Sequence, residues 1–271
     1  MIHLLQDMKK AIWTGGFPPE VPIERRLALA SEAGFDGVEL VVDETLVGSD
    51  AQLRGLAELA GRTVPIHSLM CAFSRRLGSP DPAERPAAVD AVQRAIRAAR
   101  LLGADTILVI PAVVSDRVTY EQAWALGQSG LRALIPTAER YGVCLAVENI
   151  WNKFLLSPLE MRRFIDEVGH PLVQAYFDVG NVLAFGYPEQ WIDVLGRRIR
   201  RVHLKDFKTR VGDIDGFVQL LEGDVDWPAV MAALRRVGYD SYLTSEVAPY
   251  RHADRESAFA VSRAIDAIMA L

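Results

Sequence analysis

Short apolar, β-branched runs alternate with longer amphipathic stretches along the whole chain. The runs predict strands at residues 10–13, 37–42, 64–69, 106–110, 144–149, 174–178, 201–205 and 242–247. Between them the spacing predicts helices, as at 85–102, where apolar residues recur three and four positions apart. Gly103, Gly142 and Gly238 each close a helix just before a strand, as a left-handed cap does. Ser157 and Pro158 open another, with serine as N-cap and proline in the first turn. Eight strands, each followed by a helix, predict a single (β/α)8 TIM barrel domain over 1–271, in the α/β class. The rival arrangement, an open doubly wound sheet, leaves the first and last strands unpaired with each other. No linker, shift of composition or low-complexity segment divides the chain.

Four of these runs end in a polar residue: Glu148 in CLAVEN, Asp178 in AYFDVGN, His203 in RVHLKD and Glu246 in YLTSEV. In a closed parallel barrel the carboxyl ends of the strands converge on one mouth, where active sites form. Taken singly, each residue has an ordinary explanation, since buried carboxylates pair with lysine and a strand histidine can hydrogen-bond within a core. Taken together they need a cation, because burying three carboxylates side by side is costly. The set therefore predicts a site for one divalent metal ion. Oxygen-rich donors with one imidazole favour Mn²⁺ or Mg²⁺, and Co²⁺ or Zn²⁺ also fit. Such an ion polarises the carbonyl and hydroxyl oxygens of a bound sugar, so that a carboxylate can remove the proton alpha to the carbonyl.

Composition narrows the partners. Half of the 271 residues are hydrophobic, enough for a sizeable core, and the net charge of −5 argues against a general affinity for nucleic acid or an anionic membrane. The two cysteines, Cys71 and Cys144, lie in apolar runs and suggest neither a disulfide framework nor a thiolate metal site. The start, MIHLLQDMKK, lacks a long apolar region before a cleavage site, and no later run approaches a membrane span. The expectation is a cytoplasmic protein.

The motifs VEN, FDVGN, VHLKD and the late SEV, at matching strand spacing, resemble the xylose-isomerase-like barrels of the sugar phosphate isomerase/epimerase family. The resemblance covers nearly the whole chain. It implies that Glu148, Asp178, His203 and Glu246 bind one divalent ion, and that Glu148 and Glu246 are the acid/base pair on opposite faces of the substrate. Free-ketose 3-epimerases of the tagatose and psicose type usually carry histidine where this chain has Asn181, and arginine where it has Thr209. DVGN, HLKD and the EGDVDW stretch at 222–227 look closer to L-ribulose 5-phosphate (L-xylulose 5-phosphate) 3-epimerases. The resemblance further implies a small sugar or sugar phosphate as partner, and a homodimer or homotetramer formed through surface helices.

Other residues are expected near the mouth. His67 in VPIHS should end the third strand, touching a substrate hydroxyl or bonding to backbone in the core. Glu39 in GVEL should contact substrate or neutralise a nearby Lys or Arg. Trp13 and Trp151 can stack on a sugar's apolar face or cover the core. Lys205 alternates inward with His203, where it can touch a substrate oxygen, stabilise an enolate, or pair with a site carboxylate. Asn181, three residues after Asp178, is a further candidate contact. Lys208, Arg210 and Arg251 fall in loops after the seventh and eighth strands, where barrels often hold a phosphate, and Lys153 in the fifth loop joins them. No glycine-rich phosphate cradle or dinucleotide fingerprint follows any strand.

These residues suit 3-epimerisation of a ketose or ketose phosphate through a cis-enediolate, or aldose–ketose isomerisation through the same intermediate. Dehydration of an inosose and isomerisation of hydroxypyruvate begin with the same proton abstraction. A non-enzyme reading, a metal-dependent sugar-binding protein, needs only one of the two glutamates. An apurinic endonuclease on the same barrel needs many histidines around three metals. This chain has five (3, 67, 170, 203 and 252), and its fourth strand ends in Ile110-Pro111 without a ligand.

Overall fold

The computed structural model describes residues 8–271, so His3 and the first seven positions lie outside the described residues. Its parallel strands are β1 (Lys9–Trp13), β2 (Gly37–Val41), β3 (Ile66–Cys71), β4 (Thr106–Val109), β5 (Cys144–Glu148), β6 (Val173–Asp178), β7 (Ile199–Leu204) and β8 (Tyr242–Ser245). Each pairs with its neighbour in sequence, and β1 pairs with β8 from Lys9 opposite Tyr242 to Ile12 opposite Ser245. That last pairing closes the barrel and rules out the open sheet. One main helix follows each strand: α1 (Ile23–Glu32), α2 (Asp50–Ala60), α3 (Glu84–Leu102), α4 (Tyr120–Tyr141), α5 (Pro158–Val168), α6 (Pro188–Leu195), α7 (Trp227–Arg236) and α8 (Asp254–Met269).

The punctuation works as the residue types require. Gly103 (φ 81°) and Gly142 (φ 65°) end α3 and α4 in the left-handed region, which a side chain disfavours. Ser157 accepts from the Glu160 amide while Glu160 accepts from the Ser157 amide, a reciprocal cap that starts α5.

The core has two compartments. Helices and the outward strand faces share one, built from residues such as Leu27, Val38, Ile107, Leu131 and Phe164. The barrel's interior holds a smaller cluster of Leu108, Ile110, Cys144, Ala146 and Tyr176. Period-two alternation carries this inward face on to Glu148 two residues after Ala146, and to Asp178 two residues after Tyr176. The register interrupts that count twice. Val38 pairs with Ile66 but Glu39 with Ser68, leaving His67 as an extra residue, and the β6–β7 pairing leaves Arg200 extra in the same way.

Candidate metal centre

The four strand-end residues meet. Glu148, Asp178, His203 and Glu246 offer ligand atoms that all lie within 4.8 Å of one another. Asp178 sits directly opposite His203 across the β6–β7 pairing. The imidazole Nδ1 is 2.9 Å from Glu148 Oε1, 2.8 Å from Glu246 Oε2 and 3.8 Å from Asp178 Oδ2. One ring nitrogen carries at most one proton, so it cannot serve three carboxylates.

Local structure fixes each donor. Asp178 caps the short helix Val179–Leu183, with Oδ1 accepting from the Asn181 amide at 2.7 Å, which leaves Oδ2 for the site. Gly180 lies against Lys205, where an added Cβ would come 2.6 Å from the lysine Cβ. Asn149 clamps the neighbouring strand: its Oδ1 accepts from the Asp178 amide at 2.8 Å and its Nδ2 donates to the Asp178 carbonyl at 2.9 Å. Asn181 Nδ2 in turn donates to the Asn149 carbonyl at 2.9 Å. These contacts account for the VEN and DVGN motifs. Asn149 carries a role that sequence reasoning missed, and its only signal was its place beside Glu148.

Beneath His203 lies Glu39, fully buried, with Oε1 2.8 Å from Nε2 and Oε2 accepting from Ser68 Oγ at 2.9 Å. The expected partner of Glu39, substrate or a basic side chain, is replaced by the histidine. A proton on Nε2 donated to Glu39 directs the Nδ1 lone pair at the carboxylate cluster, as carboxylate–histidine pairs do behind metal ions.

Charge is uncompensated. Burial pushes the Glu148 carboxyl up to about 7, with the Glu246 charge adding to it. Burial opposes ionisation of Glu246 too, but Lys205 and His203 hold it down at about 2. Asp178 is raised by burial against the pull of Lys205, whose Nζ is 3.1 Å from Asp178 Oδ2 and 2.8 Å from Glu246 Oε2. Despite burial, Glu39 and Glu246 drive the His203 imidazole well up, so a proton takes part of a cation's place. Even so, Asp178 Oδ2 and Glu246 Oε2 receive no directed hydrogen bond, although cationic nitrogens lie near both. Orphaned buried oxygens around an imidazole lone pair fit a divalent ion.

Above the cluster opens a cavity of about 650 Å³, lined by Glu148 and Glu246 and by the expected Trp13, Trp151, Asn181 and Lys205. Trp151 is steadied by donating to the Asn181 carbonyl at 2.7 Å. His67 is not at this mouth. As the extra residue near the start of β3 it lies a layer lower, where Nδ1 accepts from Arg201 at 3.3 Å and Nε2 faces Thr244 Oγ1 at 3.2 Å. The expectation placed it at a strand end because the strand runs two residues further than the apolar run suggested. Lys153 and Arg251 are exposed, and neither they nor Lys208 and Arg210 line the cavity.

Residues 27–268 match the model of the xylose isomerase-like TIM barrel. The chain belongs to that family. Within the xylose isomerase-like barrels, SgbU of Escherichia coli K12 is 34% identical over 248 residues, 87% of each chain, and is named provisionally as an L-ribulose-5-phosphate 3-epimerase. UlaE of Salmonella heidelberg, named for that activity outright, is 30% identical over 225 residues, 79% of this chain and 78% of its own. Among solved structures, the IOLI protein with a binding zinc atom matches with a TM-score of 0.82 at 19% identity, over 97% of this chain and 98% of that one. Among the described residues no helix is long and apolar enough to cross a membrane.

Proposed function

We propose that this protein is a divalent-metal-dependent 3-epimerase of a ketose or ketose phosphate, with Glu148 and Glu246 as its acid/base pair. The observation that carries the reading is the pair of glutamates on different strands, both lining the cavity and both beside His203 Nδ1. The names of SgbU and UlaE support it. Glu148, Asp178, His203 and Glu246 would hold the ion, Mn²⁺ by the oxygen-rich donor set. Bound there, it supplies polarisation of a carbonyl and its neighbouring hydroxyl.

The protein's own groups do the rest. One glutamate takes the proton from the carbon alpha to the carbonyl, giving a cis-enediolate. The other returns a proton from the opposite face, which inverts that carbon. Lys205, held between Asp178 and Glu246, keeps its charge at the cavity wall and can donate to the developing oxyanion. Trp13 and Trp151 offer ring faces to the sugar and exclude water, and Asn181 fixes Trp151.

The test is proton NMR of the metal-loaded protein in D₂O with ketopentoses, ketohexoses and their terminal phosphates. Deuterium at C3 with a new epimer, abolished by chelation, is expected. Exchange at C1 with aldose formation would make it an isomerase, and no exchange in any sugar would overturn the reading.

A further inference from the structure

Part of the cavity is walled by the segment between β7 and α7. This wall is built rather than loose. Asp206, fully buried, accepts from the Phe207 amide at 2.9 Å, the Leu221 amide at 2.9 Å, the Val225 amide at 3.3 Å and Trp227 Nε1 at 3.1 Å. A Cβ at Gly223 would collide with the same carboxylate, so the chain passes there only as glycine. A short antiparallel ribbon, Asp206–Phe207 with Phe217–Val218, stiffens the segment, and Gln219 Nε2 ties it to the Ala248 carbonyl at 2.7 Å.

What this wall shows the cavity is apolar, with one acid. Ile214, Phe217 and Val218 face it, together with Glu222, and Val247 and Ala248 complete that side. Phe217 packs on Trp151 with ring centres 5.1 Å apart. Among the described residues Lys205 is the one cation on the lining, and it is committed to Asp178 and Glu246. The other basic groups of the loop, Lys208 and Arg210, do not line the cavity. Thr209 donates twice to Asp224, which holds that carboxyl below its ordinary value, and Arg210 and Lys208 lower it further. The β8–α8 connection runs into Asp254 and Glu256 in the first turn of α8.

We infer that the part of the cavity walled by Ile214, Phe217 and Val218 is a binding subsite for an uncharged end of the substrate, making the substrate class unphosphorylated keto sugars. A phosphate would bring a charge of about −1.5 to −2 against an apolar wall whose one ionisable group is Glu222, with no cation on that side to meet it. An apolar wall with one carboxylate and one amide instead suits carbon–hydrogen faces and hydroxyls. A volume of about 650 Å³ leaves room for such an end beyond the reacting carbons. This inference rests on the epimerase reading and departs from the phosphorylated substrate in the names of SgbU and UlaE.

The experiment measures kcat/KM for C3 exchange with matched pairs of a ketose and its terminal phosphate ester, in wild type and in Glu222→Lys. The free sugar should be preferred at least about tenfold by wild type, and the added cation should shift the ratio toward the ester by about tenfold. Binding is read separately in metal-loaded wild type by thermal shift with free ketose, ester and inorganic phosphate. Stabilisation by free ketose and none by inorganic phosphate is expected. Tighter binding or faster exchange of the ester overturns the subsite while leaving the epimerase intact. Free-ketose binding without C3 exchange in wild type supports the subsite and sinks the epimerase. Binding of neither sugar overturns the subsite.

Discussion

The barrel's interior holds two polar layers that differ in how completely they are satisfied. In the lower one Arg201 donates to His67, to Ser241 Oγ at 2.8 Å and to its ion-pair partner Asp105, while His67 stacks on Tyr242 with ring centres 4.1 Å apart. In the upper one, three carboxylates crowd one imidazole nitrogen, and Asp178 Oδ2 and Glu246 Oε2 have no directed donor. Each layer contains a buried histidine. The lower layer closes its own hydrogen-bond account, as structural polar cores do. The upper layer is left short of positive charge, and that shortage, more than the residue types, marks it for function.

If that contrast is right, substitutions in the two layers separate turnover from stability. Glu148→Gln or Glu246→Gln should cut C3 exchange by about 10²–10⁴-fold, measured by NMR in D₂O at saturating metal. Ser241→Ala, which removes one partner of Arg201, should leave turnover per folded molecule unchanged. Substantial exchange in either glutamine variant would dismiss the acid/base pair.

The upper layer should also respond to metal where the lower one cannot. At an ion concentration about 100-fold above the dissociation constant, stability should rise by about 2.7 kcal/mol, seen as a Tm increase reversed by chelator. Glu39→Gln keeps the shape but weakens the hold on His203 Nε2, and should reduce metal affinity about 10–100-fold by calorimetric titration. Unchanged affinity would mean that Glu39 serves packing alone.

Much of this was legible in the residues, for a physical reason. Strand alternation is rigid over short distances, so Lys205 could be turned inward by counting from His203, and Glu148 and Asp178 could be placed at the mouth because each ends an apolar run. Convergence of strand ends in a closed barrel then brings distant residues together, and the carboxylate-rich set asks for a cation. The count fails at a bulge. His67 was expected at the mouth because nothing in VPIHS reveals the extra residue opposite Val38 and Glu39. Glu39 was assigned the wrong partner for a related reason: the depth of a side chain along the barrel axis depends on strand stagger, which alternation does not encode. The fate of Lys208 and Arg210 depends on the path of a long loop, and only the structure shows that it leaves them off the cavity lining.

The smallest effect is expected in the lower layer, and its sign follows from the geometry. Burial, then the charges of Arg201 and His203, push the His67 pKa well below its ordinary 6.5. The groups facing the ring agree: Arg201 donates to Nδ1, Thr244 meets Nε2, and Tyr242 covers one face, so no carboxylate favours the protonated form. The folded state thus holds His67 neutral, while the unfolded chain takes up a proton below about pH 6.5. The stability His67 contributes is complete above that pH and erodes as the pH falls, by up to about 1.4 kcal/mol per pH unit, until the folded value is reached. Glu148, pushed up to about 7, titrates in the same range with its own sign, so the measurement is a difference. Urea unfolding of wild type and His67→Asn is compared from pH 7.5 to 5. Asparagine keeps an acceptor and a donor, and its loss of the Tyr242 stack is independent of pH. The stability advantage of wild type should therefore shrink as the pH falls. A difference that stays flat would show that His67 is protonated in the folded protein, and the lower layer would then carry uncompensated charge as the upper one does.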